Sequence, residues 1–466
     1  MSRLTFYGAI EGVTGSAYLL ETEHSRILLD CGMFQGRRKE EKSNFADFPF
    51  DISTIDAVVL SHAHLDHSGR LPKMVAEGYR GPIHMTYPTA ELLDVLLKDA
   101  AILQERDLEW ENKRRRRAGK KELLPLYTMP DVENTLKLCD GIKYAQRRTI
   151  SEDVELCFRD AGHILGSSIV ELFITEKGQH RKLVFSGDLG NSCGALLRNP
   201  DIVTEADVLL LESTYGDRNH RPIDETLIEL ESIIQQASQN GGNILIPSFA
   251  VGRTQELIFR LGELYQKGKL PQQAVFLDSP MAIAVTEIYH RYQNVFNPDD
   301  IDTMHQGNST SLHNFLPALR YSRSTEESMA INRIAEGAII IAGSGMCNGG
   351  RIRHHLKHNL WRNNAHVVIV GFQALGTPGR ALVDGEKTFR IAGEKIQVNA
   401  RIHTLGGFSA HASQSQLLDW ISHFAQPHPQ LYLVHGEQSS KLAFKEFLSH
   451  NGWQANIPEL NQSITF

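Results

Sequence analysis

His62-Ala63-His64-Leu65-Asp66-His67 places four metal-ligand side chains within six positions, directly behind the apolar run Ala57-Val58-Val59-Leu60. In an extended segment residues two apart point the same way, so His62 and His64 can serve one ion. Asp66 and His67, across the turn that follows, can reach a second. Imidazole mixed with carboxylate suits zinc, and a catalytic site leaves one position open for water. On its own, this run marks one wall of the metal site of a two-zinc hydrolase.

Further ligands stand in similar settings. His163 lies in Asp160-Ala161-Gly162-His163-Ile164-Leu165-Gly166, a turn between two β-like runs. Asp188 follows Leu183-Val184-Phe185 within Ser186-Gly187-Asp188, and His435 follows Leu431-Tyr432-Leu433-Val434 and precedes Gly436. Each is a strand-end residue beside glycine, where backbone can approach an ion closely. Singly each reads as a turn residue; together with the cluster they read as ligands.

The rest of the chain sets bounds. Its 466 residues exceed one ordinary core and imply two or three domains. Lys+Arg minus Asp+Glu is 48 − 55 = −7, so bulk charge does not advertise nucleic-acid binding. Five scattered cysteines without a CxxC pair suit a reducing compartment. The N-terminus lacks an apolar signal segment, and no eighteen apolar residues run together. A soluble, cytoplasmic protein with no membrane partner is expected.

Short β-like runs at 4–8, 17–21, 26–30 and 57–61, and again at 155–158, 168–174, 182–186 and 208–211, predict strands. Leucine spacing predicts a helix from 89 to about 121 that ends in Lys113-Arg114-Arg115-Arg116-Arg117. From Gly216, helices at 224–238 and 254–267 alternate with strands at 243–246, 274–277, 338–342 and 366–371; the stretch between 277 and 338 reads as irregular. This alternation predicts a parallel α/β sheet. Near Ile396 the earlier β-rich texture returns, closing with a strand at 430–434 and a helix at 439–450. The expected organisation is a β-rich metal-binding domain (1–215 and 394–466) interrupted by an α/β domain (216–393).

The order Asp30, His62-x-His64-x-Asp66-His67, His163, Asp188 resembles the metallo-β-lactamase superfamily, an αββα sandwich with a dinuclear zinc site. The resemblance implies two Zn²⁺ per chain: His62, His64 and His163 on one, Asp66, His67 and His435 on the other, and Asp188 bridging. Asp30 would orient the histidines from behind. Glu212 in Leu211-Glu212-Ser213-Thr214-Tyr215-Gly216-Asp217, His411 in Gly407-Phe408-Ser409-Ala410-His411, and His435 resemble motifs A, B and C of the β-CASP nucleases, whose inserted domain matches the α/β segment. Histidine at motif C, where the DNA-repair branch carries valine, points to RNA. Within the family the chain resembles the nuclease subunit of the pre-mRNA 3′-end cleavage machinery and its short bacterial homologues.

The implied reaction is hydrolysis of an RNA phosphodiester by a metal-activated water, leaving a 5′-phosphate. Asp66 is among the catalytic residues, His411 is the general acid for the leaving group, and Glu212 positions it. Internal and 5′-exonucleolytic cutting both stay open. The expected partner is single-stranded RNA, and a homodimer is left open. The rival readings are a small-molecule hydrolase of the same superfamily and a non-catalytic RNA-binding scaffold subunit.

Three loops of the insert set glycine and a hydroxyl near an arginine. Ser248, Arg253, Ser344, Arg351, Thr377 and Arg380, with Ser409 of motif B, are candidates for RNA phosphate contact. Any one loop alone reads equally as a βα turn. The cationic run from Lys113 reads first as a solvated helix end, since cations suit a helix C-terminus, and only second as an RNA contact. His354, His355 and His358 read as structural or surface residues, and His403 as at most a support behind the ligands.

Overall fold

The short β-like runs, joined by Ile83–Thr86, Cys139–Ile142, Arg148–Thr149, Ala455–Asn456 and Ser463–Thr465, which the sequence did not announce, build two seven-stranded sheets. The first runs Ser463–Thr465, Arg3–Phe6, Tyr18–Glu21, Arg26–Leu29, Ala57–Val59, Ile83–Thr86, Cys139–Ile142. The second runs Ala455–Asn456, Gln430–Val434, Val208–Glu212, Gln179–Phe185, Ser168–Glu176, Val154–Asp160, Arg148–Thr149. This is a computed structural model, and it describes residues 1–36, 38–307, 309–374, 376–391 and 393–466.

Successive strand residues face opposite ways, which sorts the apolar side chains into layers. Tyr18, Leu20, Leu29 and Val59 of the first sheet meet Phe158, Leu172, Phe185 and Leu210 of the second in one core. On the outer face of the second sheet, Leu209, Leu211, Leu431 and Leu433 pack with Trp420, Phe444 and Leu448 of helices Gln414–Ile421 and Gln438–His450. Helix Tyr87–Arg117 packs on strands Ile83–Thr86 and Cys139–Ile142 of the first sheet. The result is the αββα sandwich that the sequence implied. By contacts this unit comprises Met1–Ser192, Asn199–Asn219 and His411–Phe466.

The second unit comprises Cys193–Arg198 and His220–Ala410. Its six-stranded sheet runs Leu319–Tyr321, Ala274–Leu277, Ala338–Ala342, Ile244–Pro247, His366–Ile369, Arg401–Thr404, and every pairing is parallel. Ile244–Pro247 and Ala338–Ala342 are buried at every residue, as a sheet covered on both faces requires.

Two expectations differ. The stretch read as irregular carries helices Pro280–Arg291, Pro298–Gln306 and Thr325–Ile331 and strand Leu319–Tyr321. Its helices are announced by caps rather than by periodicity: Ser279, Asn297 and Ser324 each accept a hydrogen bond from the first turn, the first two just ahead of proline. The change of texture near Ile396 is not a return to the first unit. Arg401–Thr404 pairs with His366–Ile369 as the edge of the parallel sheet, and residues up to Ala410 pack with the second unit. Arg-Ile-His-Thr carries no pattern that separates an edge strand of one sheet from a strand of the other, so only the pairing assigns it. Among the described residues no helix is long and apolar enough to cross a membrane.

A histidine pair joins the last two strands of that sheet. His366 is buried, its Nδ1 lies 3.0 Å from Nε2 of His403, and the rings stack 5.1 Å apart. Burial, reinforced by His403, pushes His366 down to about 4. Its unfolded value is about 6.5, so the unfolded chain takes up the proton first as the pH falls. The stabilising contribution is therefore complete above about pH 6.5 and lost towards pH 4. Thermal melts across that window should show a falling transition temperature, and His366→Asn should flatten the fall.

Candidate metal centre

Strand ends build the site. Gln179–Phe185 and Gln430–Val434 both pair in parallel with Val208–Glu212, and Val154–Asp160 regains the same direction through two antiparallel steps. His163, Asp188, Glu212 and His435 therefore leave the second sheet at one edge. From the first sheet, the parallel strands Arg26–Leu29 and Ala57–Val59 end at Asp30 and, after Leu60 and Ser61, at His62. His64 stands at the N-cap of helix Leu65–Ser68 without capping it through its side chain, and that helix carries Asp66 and His67.

The loops close in where side chains are absent. Gly187 has φ +55°, and a Cβ there would stand 2.7 Å from the carbonyl oxygen of Ser168. A Cβ on Gly32 would stand 1.7 Å from the carbonyl oxygen of Asp66.

Two ligand sets flank one carboxylate. His64 Nδ1 lies 3.1 Å from His62 Nε2 and 3.3 Å from His163 Nε2. Asp188 Oδ2 is 3.6 Å from both His62 Nε2 and His163 Nε2. On the other side, His67 Nε2 and His435 Nε2 are 3.1 Å apart, and Asp188 Oδ1 is 3.4 Å from His67 Nε2. Asp66 Oδ2 is 3.7 Å from His435 Nε2. Within each set the ligand atoms lie within 4.8 Å of one another. Two ligands on one tetrahedral zinc stand about 3.4 Å apart, so the spacing fits.

The donor chemistry fits as well. His67 Nδ1 donates to Asp30 Oδ2 at 2.7 Å, which turns the Nε2 lone pair towards the second set. Asp188 Oδ1 is buried and has no hydrogen-bond partner among the described residues. Converging ring nitrogens and an orphaned carboxylate oxygen suit a cation. Burial pushes His62 well below the usual imidazole range, and His67 adds to the shift. Burial also opposes charge on Asp188, but His435 and His67 outweigh it and hold the carboxyl well below its usual range. Burial opposes charge on His67 too, yet Asp188 and Asp30 hold it well above the usual imidazole range. Metal is bound by neutral imidazole and ionised carboxylate, so an ion here takes the place of that proton.

His411 and Glu212 sit beside the first set. His411 Nδ1 is 3.2 Å from Glu212 Oε1 and 3.9 Å from Asp188 Oδ2, and its ring lies 4.5 Å from that of His163. Glu212 is fully buried; Oε1 accepts from the N–H of Leu189 at 2.7 Å and Oε2 from that of Thr214 at 3.3 Å. Burial disfavours a charge on His411, yet Glu212 and Asp188 lift it to about 9.

Three supporting residues escaped the sequence reading. Ser61 donates its N–H to Asp30 Oδ1 at 2.8 Å, while its hydroxyl lies 3.0 Å from Asp30 Oδ2 and 3.1 Å from His62 Nδ1. Ser16 donates to Asp30 Oδ2 at 3.0 Å, and the Thr214 hydroxyl is 3.2 Å from His435 Nδ1. The only signal was position, with Ser61 directly ahead of His62 and Thr214 two residues past Glu212.

The candidate phosphate-binding residues are not brought together in this way. Arg253 is buried, paired with Glu256, and lies over the Phe408 ring at 5.6 Å. Arg351 donates to Asp278 Oδ1 at 2.7 Å and to the carbonyls of Ser322 and Arg323, and Arg380 to Asp384 Oδ1 at 2.8 Å. The Ser248 hydroxyl accepts from Thr254, that of Ser344 accepts from the N–H of Gly349, and Thr377 caps helix Pro378–Val383. Ser409 is half-buried two residues ahead of His411. His355 is structural, bonded to Asp278 and Asn332. His403 pairs with His366 in the second unit.

Three family models match successive parts of the chain. The model of the metallo-β-lactamase superfamily matches residues 10–128, that of the Beta-Casp domain 254–382, and that of the Zn-dependent metallo-hydrolase RNA specificity domain 395–458. The chain is 40% identical to a ribonuclease of Thermus thermophilus, with 99% of each chain covered. It is 32% identical to the transcription termination factor FttA of Methanocaldococcus jannaschii, over 95% of this chain and 68% of that one. An RNase J-like protein of the same organism is 30% identical, over 95% and 94%. Among solved structures, a protein of unknown function from Enterococcus faecalis V583 shares the fold at a TM-score of 0.56 and 13% identity, with 99% of each chain covered.

The Asp30 carboxylate orients His67, so Asp30→Asn should weaken metal binding by about 10- to 100-fold. A competition titration against a chromogenic chelator measures this.

Proposed function

The chain belongs to the β-CASP family of the metallo-β-lactamase superfamily and is a metal-dependent ribonuclease; from that premise we propose that it holds two zinc ions on either side of Asp188. His62, His64 and His163 take one ion, and Asp66, His67 and His435 the other. The observation that carries this reading is Asp188, whose two oxygens face two separate histidine sets. When bound, the ions supply an activated water and offset charge on the scissile phosphate.

The chain's own residues do the rest. Asp30, Ser61 and Thr214 hold the imidazoles in the tautomers that binding needs. Asp66, whose side chain is 22% exposed, is the carboxylate of the site that is open to incoming solvent. Glu212 anchors His411 through Nδ1 and so leaves Nε2–H as a proton donor. Glu212 and Asp188 raise its pKa to about 9, which keeps that donor charged near neutral pH, as a general acid must be. His411 gives its proton to the departing 3′-oxygen, and a 5′-phosphate remains on the downstream fragment. Five cysteines without a disulfide among the described residues suit a cytoplasmic setting.

Dialysis against chelator should abolish cleavage of single-stranded RNA, and added zinc should restore it. His411→Ala should retain two zinc ions per chain by elemental analysis yet cut about 10²- to 10⁴-fold more slowly. Loss of zinc from that variant would make His411 a structural residue instead.

A further inference from the structure

Helix Tyr87–Arg117 has 31 residues and two unlike halves. Up to Ala101 it is core, with Leu92, Leu93 and Leu97 fully buried. Beyond that point Arg106, Trp110, Lys113, Arg114 and Arg117 are all exposed. Their spacing of three and four residues sets them on one face. Trp110 is 68% exposed, and the guanidinium of Arg114 lies 5.7 Å from its ring centre.

The charge continues past the helix through Lys120 and Lys121, so seven of the nine residues from 113 to 121 are cationic in a chain of net charge −7. Arg114 pairs with Glu111 and Arg116 with Glu122. Among the described residues Lys113, Arg117, Lys120 and Lys121 have no carboxylate within ion-pair distance.

The helix dipole explains cations in the last turn. It explains neither Lys120 and Lys121 beyond that turn nor a large indole left in water on the same face. Cations that track a phosphate backbone, interleaved with an aromatic on which a base can stack, are what sequence-tolerant binding of single strands needs. We propose that the face of Trp110, Lys113 and Arg117, extended by Lys120 and Lys121, is an auxiliary binding surface for single-stranded RNA. This rests on the ribonuclease reading for the choice of RNA over other polyanions.

The helix also sets the reach. At its start the hydroxyls of Thr86 and Thr89 donate to the carbonyl of Gly166, in the loop that carries His163. From Thr89, Trp110 lies about 32 Å and Arg117 about 42 Å along the axis at 1.5 Å per residue. A stacked strand advances about 3.4 Å per nucleotide, so roughly ten nucleotides span the helix from that anchor to this surface. A stacked hexanucleotide, about 20 Å long, is shorter than that span.

The test uses full-length, zinc-loaded protein as wild type, as the triple variant Lys113→Gln, Arg117→Gln, Lys120→Gln, and as Trp110→Ala. Binding is titrated against salt with a nuclease-resistant phosphorothioate oligouridylate of about 30 nucleotides, well beyond the reach calculated above. Loss of three phosphate contacts should lower the log–log salt slope by about 2. Trp110→Ala should weaken binding about 5-fold. Cleavage of a hexanucleotide should be unchanged in both variants.

Unaltered affinity and slope in both variants would overturn the proposal. So would equal binding of polyglutamate by the wild type with equal loss in the variants, which would mark a surface for acidic protein. If wild-type protein cuts neither the hexanucleotide nor an unmodified RNA of about 30 nucleotides, the ribonuclease reading fails, and the titration still reports on the surface separately.

Discussion

Asp188 is 2% exposed and sits between two groups of imidazoles, and the rest of the first unit is arranged around the electrostatics of that position. A carboxylate out of water is costly unless it is paired, and here the pairing comes from both sides at once. His62 and His163 face one oxygen and His67 and His435 the other. Only strand ends from both sheets can deliver so many short side chains to one point. The sandwich is therefore the scaffold that brings four loops of the second sheet against two of the first. Asp30 with φ +59° and His435 with φ +49° are part of what that convergence demands of the backbone.

The same constraint explains the layer behind the ligands. Three of the crowded imidazoles are held in orientation from their far side. Asp30 holds His67, Ser61 touches both Asp30 and His62, and Thr214 meets His435. Glu212 binds the backbone at Leu189, next to Asp188, and also the ring of His411. A single buried carboxylate thereby couples the position of the bridging residue to that of the proton donor.

Much of this was legible in the sequence. Four ligand types in six positions behind an apolar run have few other readings, and His163, Asp188 and His435 announced themselves as strand ends beside glycine. Short β-like runs marked most of the sandwich strands, and strand–helix alternation marked the parallel sheet. What stayed hidden depends on pairing across long separations. Ser61 and Thr214 carry no pattern of their own, and the tie between Arg351 and Asp278 spans 73 residues. Arg401–Thr404 lies within the β-rich texture that begins near Ile396, and only its pairing with His366–Ile369 assigns it to the parallel sheet. Trp110 was passed over because an exposed indole gains meaning only once the helix shows which cations share its face.

The central claim is that one carboxylate stands between two cations. Anomalous diffraction at the zinc absorption edge, from crystals of the zinc-loaded protein, tests it most directly. Two peaks about 3.5–4 Å apart are predicted, one among His62, His64 and His163 and one among Asp66, His67 and His435, with Asp188 touching both. A single peak, or two peaks with Asp188 bound to only one, would contradict the account.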